Sequence, residues 1–332
     1  MGARGAHAAG ARDLRAAAHA AQVRELTAAG ALSDPAWRAA FEAVPRHVFV
    51  PYYYVGRGAG NDRLWGEDPD PARQAAWLRG VYADAPLATR LRDGELVSSS
   101  SQPSLMAKML HALDVGDGDA VLEIGTGTGY NAALLCHRLG DDLVTSVDLE
   151  EEITESARAH LALLGYHPVV VTGDGARGCP GRAPFDRIIV TCTLPMIPFA
   201  WLGQCRPGAR ILAPLSTGLI ALRVRDAEFA EGGFLHTSAY FVPLRGGSRA
   251  PYTTHAGGGL PYDVLENERF HFMLTLTAGA LGPREALDLW RHEGRPGRER
   301  FGVTVGPAGQ WSWLDDPQGP YVWPLGERAG TD

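Results

Sequence analysis

The chain has little lysine, little cysteine and no long apolar run, and each shortage excludes a class of protein. Only Lys108 among its 31 basic side chains is a lysine, and 38 acidic side chains give a formal charge of −7. This balance disfavours electrostatic capture of nucleic acid or anionic lipid. The four cysteines lie 13 to 43 positions apart without a CxxC pair, which argues against a zinc site or a disulfide framework and favours a reducing cytoplasm.

The alanine-rich beginning of the sequence does not read as a signal peptide. Arg4, Arg12 and Arg15 interrupt it, and no stretch of about 18 apolar residues occurs anywhere in the chain. We therefore expect a soluble, intracellular protein with no membrane partner, no nucleic-acid partner and no metal. The 332 residues, 45% of them apolar, suffice for a large domain with a second module.

Helical spacing of apolar residues opens the chain. The pattern over 12–44 breaks at Gly30 and restarts at Ser33-Asp34-Pro35, which predicts two helices. The stretch HVFVPYYYV after them is expected to be extended. Residues 56–79 are rich in Gly, Asp, Pro and Arg. They are predicted to form an inserted loop with a short helix at its end, of the kind that often acts as a lid.

Strand and helix patterns alternate from residue 104 onward. Apolar strands separated by helical segments of about 10–15 residues predict an α/β fold with a doubly wound parallel sheet. The stretches LIALRVRD and HTSAYFVPL are expected to add edge strands, the second antiparallel. The predicted strands are 119–124, 142–147, 168–172, 185–191 and 209–214, and the predicted helices are 104–113, 129–139, 150–164 and 198–205.

The C-terminal tail is expected to be a small α+β appendage. A Gly/Pro-rich linker precedes it at 246–262, a helix is predicted at 283–292, and FGVTVGPAGQWSWLD reads as a hairpin with its turn at 307–309. Three tryptophans are expected to pack a small β core there: Trp311, Trp313 and Trp323. The predicted segments are N-terminal helices (1–55), inserted loop (56–79), α/β core (80–246) and appendage (247–332).

A glycine-rich turn follows the first core strand. VLEI runs into Gly125-Thr126-Gly127-Thr128-Gly129 at the start of a predicted helix. Glycines there let the backbone approach a ligand closely, and the helix amides attract negative charge. The spacing lacks the third glycine of the dinucleotide fingerprint, which disfavours hydride transfer with a nicotinamide. Taken alone, such glycines also suit a packing turn.

Acidic side chains accompany this turn. Glu123 lies inside an apolar strand, where a carboxylate needs a partner, and we expect it to contact a cationic amino-acid group. Asp148 ends the next strand, where a ribose diol would lie. Asp174 is placed to read an adenine amine, although an Asx turn explains it equally well. Acidic groups without a phosphate-binding lysine or arginine suit a positively charged nucleoside, S-adenosylmethionine (SAM). The predicted cofactor residues are Glu123, Gly125, Thr126, Gly127, Gly129, Tyr130, Asp148, Leu149, Gly173, Asp174 and Gly175.

Several runs of residues together resemble one family. VLEIGTGTGYNAALL, SVDL, GDG, APFDRIIVT, PMIP and FVPL, in this order, closely resemble the protein L-isoaspartate O-methyltransferases, and ELTAAGALSDPAWRAAFEAVPRHVFV resembles that family's two-helix preface. The resemblance covers about residues 13–55 and 80–246. It implies a Rossmann-like methyltransferase fold for the core, SAM as the methyl donor and a carboxylate on a peptide as the acceptor.

The resemblance also implies where the acceptor binds. In the family, a T-I-S-x-P segment before a helix holds the carboxylate through a serine hydroxyl and backbone amides. Here Ser101 occupies the serine position, and Ser99 and Ser100 replace the Thr-Ile pair. Pro103 and the helix after it favour this pocket because a helix start offers free amides, whereas composition alone also suits a flexible linker. The predicted catalytic residues are Ser98, Ser99, Ser100 and Ser101, and the predicted substrate-binding residues are Gln102, Thr191, Cys192 and Thr193.

Three functions stay open at this point. A four-serine run and a long C-terminus resemble homologues encoded with ribosomally made, modified peptides such as lanthipeptides and graspetides, which implies a cyclised peptide whose aspartyl methyl ester collapses to an aspartimide. The insertion and the tail would then shape the approach of that peptide. The alternatives are a general repair methyltransferase for damaged proteins and a non-catalytic peptide-binding escort. In either enzyme the acceptor carboxylate, with a pKa near ~4, is already ionised and needs no general base.

Overall fold

The structure is a computed structural model that describes residues 2–56, 62–246 and 260–326, without the side chains of residues 2–9 and 263. The predicted linker lies largely outside these ranges, at 247–259. The helices of the described chain are α1 (Gly2–Ala28), α2 (Pro35–Ala43), α3 (Arg46–Phe49), α4 (Pro71–Val81), α5 (Pro103–Leu113), α6 (Tyr130–Leu139), α7 (Glu151–Leu163), α8 (Tyr262–Leu265), α9 (Glu268–Leu276) and α10 (Pro283–His292).

Fourteen strands lie within the same ranges. They are β1 (Tyr52–Val55), β2 (Asp62–Trp65), β3 (Leu87–Arg92), β4 (Glu95–Ser100), β5 (Val121–Ile124), β6 (Val144–Asp148), β7 (Val169–Thr172), β8 (Phe185–Val190), β9 (Cys205–Leu215), β10 (Gly218–Val224), β11 (Ala230–Ser238), β12 (Phe301–Gly306), β13 (Gly309–Leu314) and β14 (Val322–Pro324).

The chain divides into two compact units that interleave along the sequence. Unit 1 comprises Met1–Gly118 and Thr126–Thr172, and unit 2 comprises Asp119–Gly125 and Gly173–Asp332. The chain therefore passes from unit 2 to unit 1 inside the glycine turn. The segment limits given above from the sequence stay a prediction.

Unit 1 contains a four-stranded antiparallel sheet in the order β2-β1-β3-β4. The prediction of a loop over 56–79 is wrong at Asp62–Trp65, where β2 pairs with β1, whereas the short helix expected at the end of this stretch is present as α4. Arg73 explains the difference: its guanidinium binds Asp62 at 2.8 Å and Asp68 at 2.9 Å. Charged residues that look like loop composition thus hold the hairpin to the helix.

The stretch HVFVPYYYV is only partly extended. Its first residues belong to α3, a single helical turn, and β1 begins at Tyr52. Four residues are too few to show helical periodicity, so the sequence pattern missed this turn.

The remaining elements of unit 1 confirm the α/β pattern. The helices predicted at 104–113, 129–139 and 150–164 are α5, α6 and α7. Strands β6 and β7 pair in parallel, with Asp148 opposite Thr172. Parallel strands separated by a helix are the predicted βαβ arrangement.

Unit 2 contains a mixed sheet. β5 and β8 pair in parallel, as do β8 and β9, and from β9 through β14 each strand pairs antiparallel with the next. HTSAYFVPL contributes to antiparallel β11 only as far as Ser238, and the helix predicted at 198–205 is a 3-10 helix over Phe199–Gln204.

The strands of the tail belong to the same sheet as β11. β12 pairs with β11, with Val305 opposite Ala230, so the tail extends the existing sheet. Phe301, Val303 and Val305 are completely buried. The pairing has a physical reason: without β12, the edge of β11 would expose unpaired backbone N–H and C=O groups. The helix predicted at 283–292 is α10, and the predicted hairpin is β12–β13.

Within the residues that the structure describes, no helix is both long and apolar enough to cross a membrane. Over the same ranges, no three His, Cys, Asp or Glu side chains form a group able to hold a metal ion.

His47 makes the stability of the protein depend on pH. Burial, and then the charges of Arg15 and His19, lower the pKa of His47 to about 4. Between pH 6.5 and pH 4 the unfolded chain therefore binds a proton that the folded chain refuses, so the free energy of unfolding falls as the pH falls.

We expect the wild type to lose about 1 kcal/mol more than His47→Gln between pH 7.5 and pH 5.0, a value reduced for the partial exposure of the ring. Urea denaturation at both pH values measures it. The lowered pKa of His19 acts in both proteins and cancels. An equal pH dependence of the two proteins would contradict the assignment.

Candidate active site

The glycine turn begins with a residue that only glycine suits. Gly125 has φ +96°, and a Cβ built on it would lie 2.5 Å from the Oγ1 atom of Thr191. The Thr191 hydroxyl donates to the Gly125 carbonyl at 2.6 Å and to that of Ile124 at 3.2 Å. Thr191, predicted to bind substrate, thus fixes the first peptide of the cofactor turn.

Asp148 fixes the next part of the turn, within unit 1. Its Oδ2 accepts from the Gly127 amide at 3.0 Å and its Oδ1 from the Leu149 amide at 2.9 Å. Beside it, the hydroxyls of Thr126 and Ser146 are 2.6 Å apart. The structure therefore brings together four of the predicted cofactor residues, Thr126, Gly127, Asp148 and Leu149, at the end of β6.

The third predicted cofactor loop lies against β5 in unit 2. A Cβ on Gly175 would lie 2.7 Å from the Cγ2 atom of Ile124, and the Gly175 carbonyl accepts from Trp201 at 2.9 Å. Asp174 accepts from the Ala176 amide at 3.0 Å, which is the Asx-type turn left open above. Glu123 is completely buried in β5, and its ligand contact, like that of Asp174, stays a prediction.

The serine segment is a strand rather than a flexible linker. Ser98, Ser99 and Ser100 lie in β4, and Ser101 and Gln102 lead into α5. The Ser98 hydroxyl accepts from Thr89 at 3.4 Å, and the Ser100 hydroxyl accepts from a buried arginine. Ser99 and Ser101 are half-buried, and within the described residues their hydroxyls make no hydrogen bond.

Arg46 is the residue that sequence reasoning missed. It is completely buried, and its guanidinium donates to the Ser100 hydroxyl at 3.2 Å and to the carbonyls of Ser100 and Ser101 at 3.1 and 3.0 Å. It also donates to the carbonyls of Val81, Ala83 and Ala85 at 2.9, 3.2 and 3.1 Å. Burial lowers the pKa of Arg46 to about 10, so it remains charged at neutral pH. An arginine inside the apolar run VPRHVFV was the available signal, since a buried charge must be satisfied.

The serine segment, which is the predicted acceptor segment, touches the cofactor turn within unit 1. A Cβ on Gly127 would lie 3.5 Å from the Ser99 carbonyl oxygen and 3.7 Å from the Ser98 hydroxyl. The two meet beside a cleft of ≈ 60 Å³. Its lining residues are Phe49, Pro51, Tyr52, Thr89, Arg90, Ser98, Gly127, Thr128, Ile153, Ser156 and His160.

The predicted substrate wall is the run 191–193 in unit 2, and the hydroxyls of its two threonines are hydrogen-bonded within that unit. The Thr193 hydroxyl donates to the Phe241 carbonyl at 3.0 Å, and its amide donates to the Val242 carbonyl at 2.9 Å. Cys192 is buried and forms no disulfide. Substrate contacts of these residues stay a prediction.

The fold and the site define a class of protein. A Rossmann-like α/β fold with a glycine turn after a parallel strand, and an aspartate at the end of the next strand that binds this turn, is typical of SAM-dependent methyltransferases. One family within this class matches the sequence: the family model described as protein-L-isoaspartate(D-aspartate) O-methyltransferase (PCMT) matches residues 73–248. The chain belongs to this family and is a SAM-dependent protein carboxyl O-methyltransferase. Membership of an enzyme family argues against the function of a non-catalytic peptide-binding escort.

Known relatives agree with this assignment. The chain is 34% identical over 213 residues to protein-L-isoaspartate O-methyltransferase 2 of Archaeoglobus fulgidus, covering 62% of this chain and 84% of the relative. It is 46% identical over 177 residues to the protein-L-isoaspartate O-methyltransferase of Xanthobacter autotrophicus, covering 53% and 67%.

Solved structures confirm the fold. A protein-L-isoaspartate O-methyltransferase structure covers 90% of this chain and all of its own, with a TM-score of 0.62 and 23% identity. A beta-aspartate methyltransferase (PCMT) structure from Plasmodium falciparum in complex with S-adenosyl-L-homocysteine covers 68% of this chain and 98% of its own, with a TM-score of 0.51 and 13% identity.

Proposed function

We propose that this protein methylates the carboxylate of isoaspartyl residues in damaged peptides and proteins, with the serine segment presenting the carboxylate. The approach of Ser98 and Ser99 to Gly127 supports it most, because it places the acceptor segment beside the cofactor turn. Incubation with SAM and a short linear isoaspartyl peptide tests the proposal. We expect ester formation, and a peptide recovered unmodified would contradict it.

The residues of the turn fit the adenosyl sulfonium donor. A side chain on Gly127 would fill the space between the turn and β4, and Arg90, the arginine that lines the cleft, is paired with Glu152. In the proposal Asp148 holds the ribose, while Glu123 and Asp174 hold the amino-acid and adenine ends. When bound, SAM supplies an electrophilic methyl group.

The chain's own task is to orient the acceptor. An ionised carboxylate needs no base, so catalysis comes from placing one oxygen toward the donor and excluding water, which can lower the barrier by roughly 7–11 kcal/mol. We assign the other carboxylate oxygen to the hydroxyls of Ser99 and Ser101, which are half-buried and make no hydrogen bond within the described residues. Ser98 and Ser100 are buried, and their hydroxyls accept from Thr89 and Arg46, so we assign them to holding the strand.

Ser101→Ala is expected to lower kcat/KM for an isoaspartyl peptide by about 10- to 100-fold, because a hydrogen bond to a charged group is worth about 1.5–3 kcal/mol. Initial-rate measurements check it. Ser98→Ala is the matched control, since its hydroxyl is buried and accepts a hydrogen bond from Thr89, and its rate should stay within about 3-fold of wild type. Equal losses in both variants would contradict the assignment.

A cyclised, ribosomally made peptide remains the second candidate substrate, and the tail supports it. The Gln310 side chain of β13 accepts from the Ile197 amide at 3.0 Å and donates to its carbonyl at 2.5 Å. The tail therefore fastens the PMIP segment, which follows the predicted substrate wall. The family model ends at residue 248, so Gln310 lies in the part of the chain beyond the match.

Under this second candidate, Gln310→Ala should raise KM for a cyclised aspartyl peptide about 10-fold while leaving KM for a short isoaspartyl peptide unchanged. Steady-state kinetics on both peptides measure the difference. A point variant is preferable to truncation at residue 246, since truncation would uncover the β11 edge. A KM that Gln310→Ala changes by the same factor on both peptides would contradict a recognition role for the tail.

We also propose that the enzyme works in the cytoplasm. None of the four cysteines forms a disulfide, and three of them are buried, which suits a reducing compartment.

A further inference from the structure

The Asp84 carboxylate binds two residues at the start of α5 that follow it in the sequence by 18 and 20 positions. Its Oδ1 accepts from the Ser104 amide at 2.8 Å, and its Oδ2 accepts from the Gln102 side-chain amide at 3.0 Å. Gln102 also donates to the Ser104 hydroxyl at 3.0 Å. The expectation that the start of α5 offers free amides is therefore wrong at Ser104.

We propose that Asp84 is a positioning residue for methyl transfer, which sets Gln102 and the first turn of α5 and, through them, the orientation of Ser101. This inference rests on the proposed function, because it concerns the same acceptor carboxylate. Asp84 itself touches neither the acceptor nor the donor in this account.

The backbone on both sides of Asp84 is fixed to the same segment. Arg46 donates to the carbonyls of Ala83 and Ala85, and also to those of Ser100 and Ser101. Two connections, one through Arg46 and one through the Asp84 carboxylate, thus tie the turn at 83–85 to Ser100–Ser104. A doubly tied segment cannot rotate about one contact, so removal of the carboxylate frees the end nearer α5.

Charge gives Asp84 a second effect on the acceptor. Partial burial works to raise its pKa, but the hydrogen bonds from Gln102 and Ser104 hold the pKa of Asp84 below its ordinary value, so it is ionised at neutral pH. A negative charge at the start of α5 repels an incoming carboxylate from that helix end and leaves it to the serine hydroxyls. Loss of this charge should therefore lower kcat without weakening peptide binding.

An ordinary helix cap in the same unit provides the matched control. Asp70 caps α4 by accepting from the Ala72 amide two residues away at 2.8 Å, whereas α5 has no side-chain cap from Gln102 and takes its carboxylate from 20 residues away. Asp84→Ala and Asp70→Ala each remove a cap of the same kind. They should lower the thermal midpoint similarly, and only the first removes the tie to Gln102.

The experiment measures kcat, the KM for SAM, the KM for the peptide and amide hydrogen exchange in four full-length proteins. These are the wild type, Asp84→Ala, Asp70→Ala and Asp84→Asn. For Asp84→Ala we expect kcat about 10-fold below Asp70→Ala, unchanged KM for SAM, unraised KM for peptide and faster exchange over residues 99–105. Asp84→Asn keeps an oxygen for Ser104 but turns an amide toward the Gln102 donor. It should retain stability and still lose kcat.

Two results would overturn the inference: a kcat of Asp84→Ala within about 2-fold of Asp70→Ala, or equal exchange over 99–105 in all four proteins. If the wild type methylates no peptide, the proposed function fails separately. Hydrogen exchange then decides: faster exchange in Asp84→Ala alone supports Asp84 as the residue that holds the segment, and equal exchange refutes it.

Discussion

Gly125→Ala is expected to weaken binding of S-adenosyl-L-homocysteine at least about 100-fold, which corresponds to about 2.7 kcal/mol. The added Cβ meets the Thr191 hydroxyl at 2.5 Å, so either the turn or the bond from Thr191 to the Gly125 carbonyl must shift. Positive φ adds a backbone cost of about 1–2 kcal/mol. Isothermal titration calorimetry measures the affinity, and turnover should fall with it.

Gly140→Ala separates the backbone cost from damage to the site. Gly140 has φ +91° and no atom within 4 Å of its built Cβ, and it lies at the far end of α6. The control should lose similar stability and bind the nucleoside as the wild type does. Wild-type affinity in Gly125→Ala would show that the turn does not hold the donor.

Arg46→Met is expected to lower the free energy of unfolding by about 3–5 kcal/mol or to prevent folding. Methionine keeps an unbranched side chain but is shorter and donates no hydrogen bond, so five carbonyl groups and the Ser100 hydroxyl lose a donor. Arg46→Lys should be intermediate, because an ammonium group has only three donors. Urea denaturation measures all three proteins.

Arg24→Met is the control for this series, since Arg24 is exposed in unit 1. Its free energy of unfolding should change by no more than about 0.5 kcal/mol. A similar small change in Arg46→Met would contradict the role given to the buried guanidinium.

Local signals predicted the parts of the fold that depend on neighbouring residues. The turn near Pro307 was found because glycines and a proline interrupt two strand-like runs, and α10 because Pro283 opens an amphipathic stretch. The pairing of β12 with β11 was missed, since it joins Val305 to Ala230 across the predicted linker. The sequence of either strand alone does not indicate which strand it pairs with.

The site shows the same division. Gly125, Gly127 and Asp148 were predicted because their spacing along a strand-turn-helix unit carries the chemistry. Arg46 and Asp84 were missed because they act on backbone groups, and the position of a backbone group cannot be read from residue types. Ser98 and Ser100 were assigned to the acceptor with their neighbours, since composition does not show which hydroxyls the fold has already engaged.

The most direct test of the account is methyl transfer from SAM to two linear peptides that differ only in carrying an isoaspartyl or an aspartyl residue. Mass spectrometry follows the gain of one methyl group, with Ser101→Ala as a parallel sample. The account predicts rapid esterification of the isoaspartyl peptide, little of the aspartyl peptide and a slowed reaction in the variant. Esterification of neither peptide by the SAM-binding wild type, or equal rates for the wild type and Ser101→Ala, would contradict it.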